Sequence, residues 1–335
     1  MSKLPPEAEA KNPSTVRDIA KRAGVSIGTV SRALKNQPGV GEATRAHILR
    51  VAREMGYDLG SLRPAKLRRV SFLHRQHYSP ASNSFYAPVL HGVEEACRRA
   101  GLVLSLSAVS LEDSVFGLLQ RHGADGLICV GYFEPELLEG MRQSEVPVVL
   151  VDHWAAGLPS VNSNNLGGSH AATAHLIAQG LRRIAFIAGE LQHYSIGERL
   201  RGYRQALWEA HLPADPTLEV TRDPPDREQG TVPAVQRLLA LPKPPEAIVA
   251  YNDATALQAI RVCQGAGLRV PGDIAIVGFD DLPAAEHSHP PLTTVRVDKE
   301  LLGRTGVELL LRPKGEIAHL TVPAELIVRQ SSVVR

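Results

Sequence analysis

Cysteine is scarce in this chain of 335 residues: three, Cys97, Cys129 and Cys263, far apart and odd in number. That pattern suggests neither a disulfide framework nor a C-x-x-C metal site, and it favours a reducing compartment. Long apolar runs are missing too. No stretch approaches the roughly 18 apolar residues of a membrane span, and the opening MSKLPPEAEAKNPS has no apolar run of signal-peptide length. The expected location is the cytoplasm. Catalytic signatures are absent as well, with no G-x-S-x-G, no G-x-x-x-x-G-K-[ST] and no H-E-x-x-H. Glu286-His287-Ser288-His289 sits in a Pro-rich loop without further ligands nearby, so it reads as solvated loop rather than a metal site. No enzyme, cofactor or metal is expected.

What is present is an ordinary globular composition, 44% hydrophobic and 21% charged, on a chain long enough for two or three domains. The net charge of +2 hides a split. Residues 1–69 carry 14 Lys/Arg against 6 Asp/Glu, a net +8, while residues 70–335 carry 23 against 29, a net −6. The basic end is where a polyanion would bind.

Residues 1–13 are Pro-, Glu- and Ala-rich and lack periodicity, so they read as a disordered tail. Val16, Ile19, Ala20 and Ala23 then follow i, i+3, i+4, i+7 spacing, one apolar stripe of a short helix. Thr15 with Asp18 has capping-box spacing, and Gly24 suits a left-handed exit. A second helix can start at once, N-capped by Ser26 and turned inward by Val30 and Leu34. Its outward positions are Gly28, Thr29 and Arg32, with Ser31 on a flank and Ile27 at the boundary. Glu42 to Met55 predicts a third helix facing its partners through Ile48, Ala52 and Met55. Helix, tight turn, helix is the arrangement that presents the start of its second helix to the major groove.

The string AGVSIGTVSRAL, with Gly56-Tyr57 closing the third helix, closely resembles the headpiece of the lactose-repressor/galactose-repressor (LacI/GalR) family of transcriptional regulators. The resemblance implies operator contacts by Thr15, Ser26, Ile27, Gly28, Thr29, Ser31, Arg32 and Tyr57, with Ile27 and Gly28 reading the variable bases. Departures exist: Lys35 stands where most members have Asn, and Gly41 where they have a capping residue. The hinge, residues 58–69, matches least. Leu59 replaces the usual Pro and Lys66 occupies the usual wedge position. Leu62 or Leu67 could supply an apolar wedge for the minor groove, or Arg63, Lys66, Arg68 and Arg69 could simply hold phosphates; both readings stay open.

From Val70 the pattern changes to short Val/Ile/Leu runs (70–73, 126–130, 146–151, 182–189, 246–251 and 273–279) alternating with helices at 89–100, 171–179, 198–210 and 254–265. Continuous apolar runs between helices predict parallel sheets covered on both faces, with ligands at the strands' carboxyl ends. GADGLICV, VPVVLVD, HLIAQGLRRIAFIAG, ERLRGY, AYNDATALQAI, GLRVPGDIAIVGFDD and PPLTTVRVD resemble the effector-binding core of the same family. The implied architecture is α plus α/β: a helix-turn-helix headpiece at 14–57, then a periplasmic-binding-protein-like core of two doubly wound subdomains. These comprise 70–161 with 293–319, and 162–292 with 320–335, joined by crossovers near 161–164, 290–294 and 319–322.

Asp152, Asn252 and Asp280 end strands and Arg199 opens a helix; carboxylate, amide and guanidinium together suit vicinal hydroxyls. The resemblance assigns these four, with Phe85 and Tyr86 in a loop before the Val89 helix, to effector binding; Tyr132 or Trp154 could add stacking area or simply pack. The expected partners are double-stranded operator DNA, a small effector such as a carbohydrate, and a second copy of the chain in a homodimer, with no membrane. A free sugar-binding transport component is the alternative, and it would explain the core but not the headpiece.

Overall fold

The computed structural model describes residues 15–34, 39–57, 67–75, 79–81, 83–110, 113–144, 146–223, 230–313 and 317–333. The expected tail, Lys35, Leu62 and most of the 58–69 hinge lie outside the described residues. The chain divides into two compact units, Met1–Leu67 and Arg68–Arg335.

The first unit is three helices, α1 (Val16–Ala23), α2 (Ile27–Leu34) and α3 (Glu42–Glu54). The capping box at α1 is complete: the Thr15 amide donates to Asp18 Oδ2 at 2.8 Å, and the Asp18 amide donates to Thr15 Oγ1 at 3.4 Å. Gly24 leaves the helix at φ 68°. Ser26 Oγ accepts the Thr29 amide at 3.0 Å and so starts α2. Ile19, Ala20, Val30, Ala33, Ile48, Val51 and Ala52 form the buried core. Ala33 and Val51 join the expected set, and Met55, Leu34 and Tyr57 pack at its margin. Arg45 Nη1 donates to the Ala33 carbonyl at 3.1 Å, satisfying an acceptor in the last turn of α2.

The second unit holds two α/β bodies. The first contributes β1 (Arg69–Arg75), α4 (Tyr86–Ala100), β2 (Val103–Val109), α5 (Val115–His122), β3 (Gly126–Val130), α6 (Pro135–Arg142), β4 (Val148–Val151) and β5 (Ser160–Ser163). The second follows with α7 (Asn165–Ala178), β6 (Ile184–Ala188), α8 (Tyr194–Glu209), β7 (Glu219–Thr221), α9 (Thr231–Leu239), β8 (Ala247–Ala250), α10 (Asp253–Gly265), β9 (Ala275–Val277), α11 (Pro283–Glu286) and β10 (Thr294–Val297). The chain returns through α12 (Lys299–Leu310) and β11 (His319–Val322) to the first body, and ends in β12 (Ala324–Ile327) on the second.

The first sheet is parallel in the order β11-β5-β4-β3-β1-β2, and the second runs β7-β6-β8-β9. β10 pairs antiparallel with β12, and isolated bridges Val277 to Thr293 and Asp280 to Arg296 attach it beside β9. The second crossover therefore falls at Asp298, past the expected 290–294, because Thr294–Val297 bonds within the second body. The third falls at Pro323, between β11 and β12, just past the expected 319–322.

Every residue of β3, β6 and β8 is buried, as strands covered on both faces must be. Three helices begin earlier than expected. α4 starts at Tyr86 because Asn83 Oδ1 accepts the amides of Phe85 and Tyr86 at 2.9 and 3.2 Å. Tyr86 is therefore helical rather than in a loop. α7 starts at Asn165, capped by Asn164 Oδ1 on the Gly167 amide at 3.0 Å, and α8 starts at Tyr194. At the α4–α12 crossing Gly92 faces the backbone of Glu300 and Gly303 faces that of Val89, with no room for a Cβ at either.

Candidate nucleic-acid interface and ligand cleft

In the first unit, α2 buries Val30 and Ala33 and leaves Ile27, Gly28 and Arg32 exposed, with Thr29 and Ser31 half-buried between the two faces. Ile27 is 49% exposed, which leaves its side chain accessible at the start of α2. Ser26 Oγ and Thr29 Oγ1 are 2.8 Å apart, and Arg32 Nε donates to the Gly28 carbonyl at 3.3 Å, so the outward side chains are tethered locally. Thr15 is exposed at the start of α1. Tyr57 is half-buried against the helical core.

In the second unit, the sheet orders place topological switch points between β1 and β3, and between β6 and β8. Ligands of doubly wound sheets sit beyond the carboxyl ends of strands at such points. Asp152, directly after β4, and Asp280, after β9, lie beyond the carboxyl ends of the strands next to these points, β4 beside β3 and β9 beside β8, with φ of 58° and 110°. Only four non-glycine residues among those described have positive φ, and two are these carboxylates. Strain of that kind is retained where surrounding contacts fix the side chain's direction.

Asp152 is 4% exposed and tightly held. The Tyr86 hydroxyl donates to its Oδ2 at 2.8 Å, Ser195 Oγ donates to its Oδ1, and His193 Nε2 lies 3.7 Å from Oδ2. Ser195 and His193 belong to the second body and Asp152 and Tyr86 to the first, so these contacts span the cleft. Tyr132 spans it too, donating to Gln192 Oε1 at 3.1 Å. Trp154 stacks on Tyr194 at 6.2 Å and lies 5.9 Å from His319, so it packs across the cleft rim.

The second cluster centres on Arg199. Its Nη1 is 3.2 Å from Asp280 Oδ1 and donates to the Tyr251 carbonyl at 2.6 Å, and its Nε donates to Asn165 Oδ1 at 2.8 Å. The guanidinium lies 3.7 Å above the Phe279 ring. Lys299 Nζ donates to the Asp280 carbonyl and sits 6.0 Å from the Phe85 ring, which meets Tyr86 edge-on at 5.1 Å. Burial pushes the Asp280 carboxyl up from the usual range, against the opposing pull of Arg199 and Lys299. Arg222 donates to the Tyr251 hydroxyl at 2.6 Å, with its guanidinium 4.9 Å from that ring.

Five of the six expected effector residues therefore fall into two linked clusters. Asn252 does not join them by any direct bond: its Oδ1 caps α10, accepting the Thr255 amide at 3.0 Å. His153, His193, Ser195, Arg222 and Tyr251 were not anticipated from the sequence. Ser195 was readable one turn before Arg199, and His153 as the residue after a strand-end Asp.

The comparisons with known proteins agree with this geometry. Residues 15–58 match the model for bacterial regulatory proteins of the lacI family, and residues 173–332 match a periplasmic binding protein-like domain. The HTH-type transcriptional repressor PurR of Aliivibrio salmonicida is 32% identical over 311 residues, covering 89% of this chain and 91% of that protein. The ribose operon repressor of Escherichia coli is 32% identical over 312 residues, covering 89% and 92%. Among solved structures, a transcriptional regulator CelR–cellobiose complex superposes with a TM-score of 0.73 at 32% identity, covering 95% of this chain and 99% of that one. A lac repressor dimer bound to operator and the anti-inducer ONPF gives 0.70 at 25%, covering 96% and 100%. No described helix is long and apolar enough to cross a membrane. The chain belongs to the lacI family of bacterial regulatory proteins, and it is a DNA-binding transcriptional repressor, not an enzyme.

Proposed function

We propose that this repressor reads its operator with Ile27, Gly28, Thr29, Ser31 and Arg32 of α2, and that a small polyhydroxylated effector, such as a sugar, bound in the cleft switches its affinity. The observation that carries the effector half is the pair of buried strand-end carboxylates, Asp152 and Asp280, each held at positive φ by groups from both bodies. A carboxylate accepts paired hydroxyls, and Arg199, Tyr86 and Ser195 keep each one aimed. Flat nitrogenous bases fit less well. Guanidinium groups already sit against the rings that would stack on them, Arg199 over Phe279 and Arg222 by Tyr251. Solved relatives carry cellobiose and, in a 24%-identical regulator from Enterococcus faecium, ribose.

The repressor acts as a homodimer through the face made by α4 and β2. β2 is the open edge of the first sheet, and it exposes Val103 (62%) and Leu106 (50%). A groove of about 390 Å³ beside them is lined by Leu90, Leu102 and Leu104, with Glu94 and Arg98 at its border. An isologous contact lets Glu94 of one copy meet Arg98 of the other while both edges are covered.

The test is operator affinity measured by gel shift on the gene's own upstream region, with and without a panel of sugars and purine bases. Arg32→Ala should weaken operator binding by about 1–3 kcal/mol. Arg199→Ala and Asp280→Ala should abolish the response to the active sugar while leaving operator affinity nearly intact. If these two lose DNA binding yet keep a normal response, the cleft assignment is wrong.

A further inference from the structure

His153 follows Asp152 at the end of β4 and is 4% exposed, yet among the described residues neither of its ring nitrogens has a hydrogen-bond partner. Buried polar atoms are almost always paired, and leaving an imidazole donor and acceptor both unmet is expensive. The rest of the residue is firmly placed. Asn162 Nδ2 donates to its backbone carbonyl at 2.9 Å. Tyr132 meets its ring edge-on at 5.6 Å, and the His193 ring lies 6.2 Å away. Tyr132 belongs to the first body and His193 to the second, so the ring lies between the bodies, beside a carboxylate that already has its own partners.

Charge narrows what those nitrogens can meet. Burial, helped by the His193 charge, draws the His153 pKa down to about 4, so the ring is neutral at ordinary pH, with one donor and one acceptor. It brings no positive charge to an anion, whose oxygens could not satisfy its acceptor nitrogen, and Arg199 is already committed to Asp280. Hydroxyl groups match it, since each can both give and take a hydrogen bond.

We propose that His153 is the specificity-determining residue of the cleft, its imidazole donating one hydrogen bond to, and accepting another from, hydroxyls of an uncharged polyhydroxylated ligand. This rests on the cleft being the effector site. It adds that the unmet nitrogens are a recognition device, retained at a cost to the ligand-free protein. Two consequences are opposite in sign. Replacing His153 with Phe should cost ligand affinity and should not destabilise the empty protein, because no protein hydrogen bond is lost.

The full chain would be titrated calorimetrically with D-ribose, D-glucose and cellobiose, and with adenine and guanine, as wild type, His153→Phe and His153→Asn. A sugar that binds wild type should bind His153→Phe about tenfold more weakly, or worse, with partial recovery in His153→Asn. Ligand-free His153→Phe should melt at or above the wild-type temperature. Unchanged sugar affinity in His153→Phe, or a ligand-free melting temperature well below wild type, would overturn the proposal by making His153 a bystander or a structural residue. Binding of a purine base with no binding of any sugar would remove the effector reading itself, and this proposal with it.

Discussion

Protonation of His153 is the residue-scale event with the clearest sign. Burial lowers its pKa from 6.5 to about 4, and the His193 charge adds to the effect while Asp152 opposes it. His193 is lowered too, first by burial and then by Arg199, again against Asp152. A histidine kept neutral in the fold contributes stability that is complete above its unfolded pKa and is lost as pH falls toward the folded value. Other buried groups work the other way. Asp253 and Asp280 are raised mainly by burial, so what they contribute is lost as pH rises. The whole-protein pH profile therefore mixes opposing slopes, and a difference between variants isolates one residue. Between pH 7 and pH 5, ligand-free His153→Phe should gain about 2 kcal/mol relative to wild type, read from urea midpoints. Parallel curves for the two proteins would mean that His153 titrates normally in the fold.

At the scale of elements, the strands were legible because runs such as GLICV and AIVA are apolar throughout, and a fully buried parallel strand tolerates nothing else. The capping box at Thr15 was legible because it is local in sequence. Helix starts were not. Asn83 and Asn164 cap α4 and α7 from within polar stretches that read as loop, and Gly167-Gly168 resembles a helix breaker. Gly168 is there for another reason: a Cβ would come within 2.9 Å of the Phe279 ring. Such close approaches are long-range facts, as are the links joining Tyr86 to Asp152 and Arg199 to Asp280, and no spacing in one sequence encodes them. The glycines of the α4–α12 crossing give a direct test. Because the atoms facing Gly92 are backbone of α12, Gly92→Ala cannot be absorbed by a rotamer change. It should destabilise the core by about 1–3 kcal/mol, and Gly303→Ala should do the same. Chemical denaturation showing either variant as stable as wild type would mean that the two helices part at no cost.

For the whole molecule, the question is why binding in an α/β core should matter to a three-helix headpiece. Two headpieces held in one dimer read two half-sites, and their joint affinity depends on a fixed spacing that one headpiece lacks. A ligand can shift such a system only by its differential affinity for two arrangements of the core, typically about 1–3 kcal/mol per coupled site. In the proposed effector site, Asp152 and His153 on one body, and Ser195, Arg199 and Asp280 on the other, would be the groups through which a bound ligand favours one closure over another. The dimer must then form on a face that ligand binding does not occupy, and the α4–β2 edge satisfies that: Tyr86, at the first position of α4, belongs to the cleft, but none of the residues lining the groove does. Leu106→Glu should place a charge against its own symmetry mate and convert the dimer to a monomer at micromolar concentration in sedimentation. Operator affinity should fall by an order of magnitude or more, because the second half-site no longer arrives with the first. Binding of the proposed effector to each monomer, titrated separately, should remain close to wild type. A Leu106→Glu protein that sediments as a dimer would move the interface elsewhere, and a monomer retaining full operator affinity would show that one headpiece suffices.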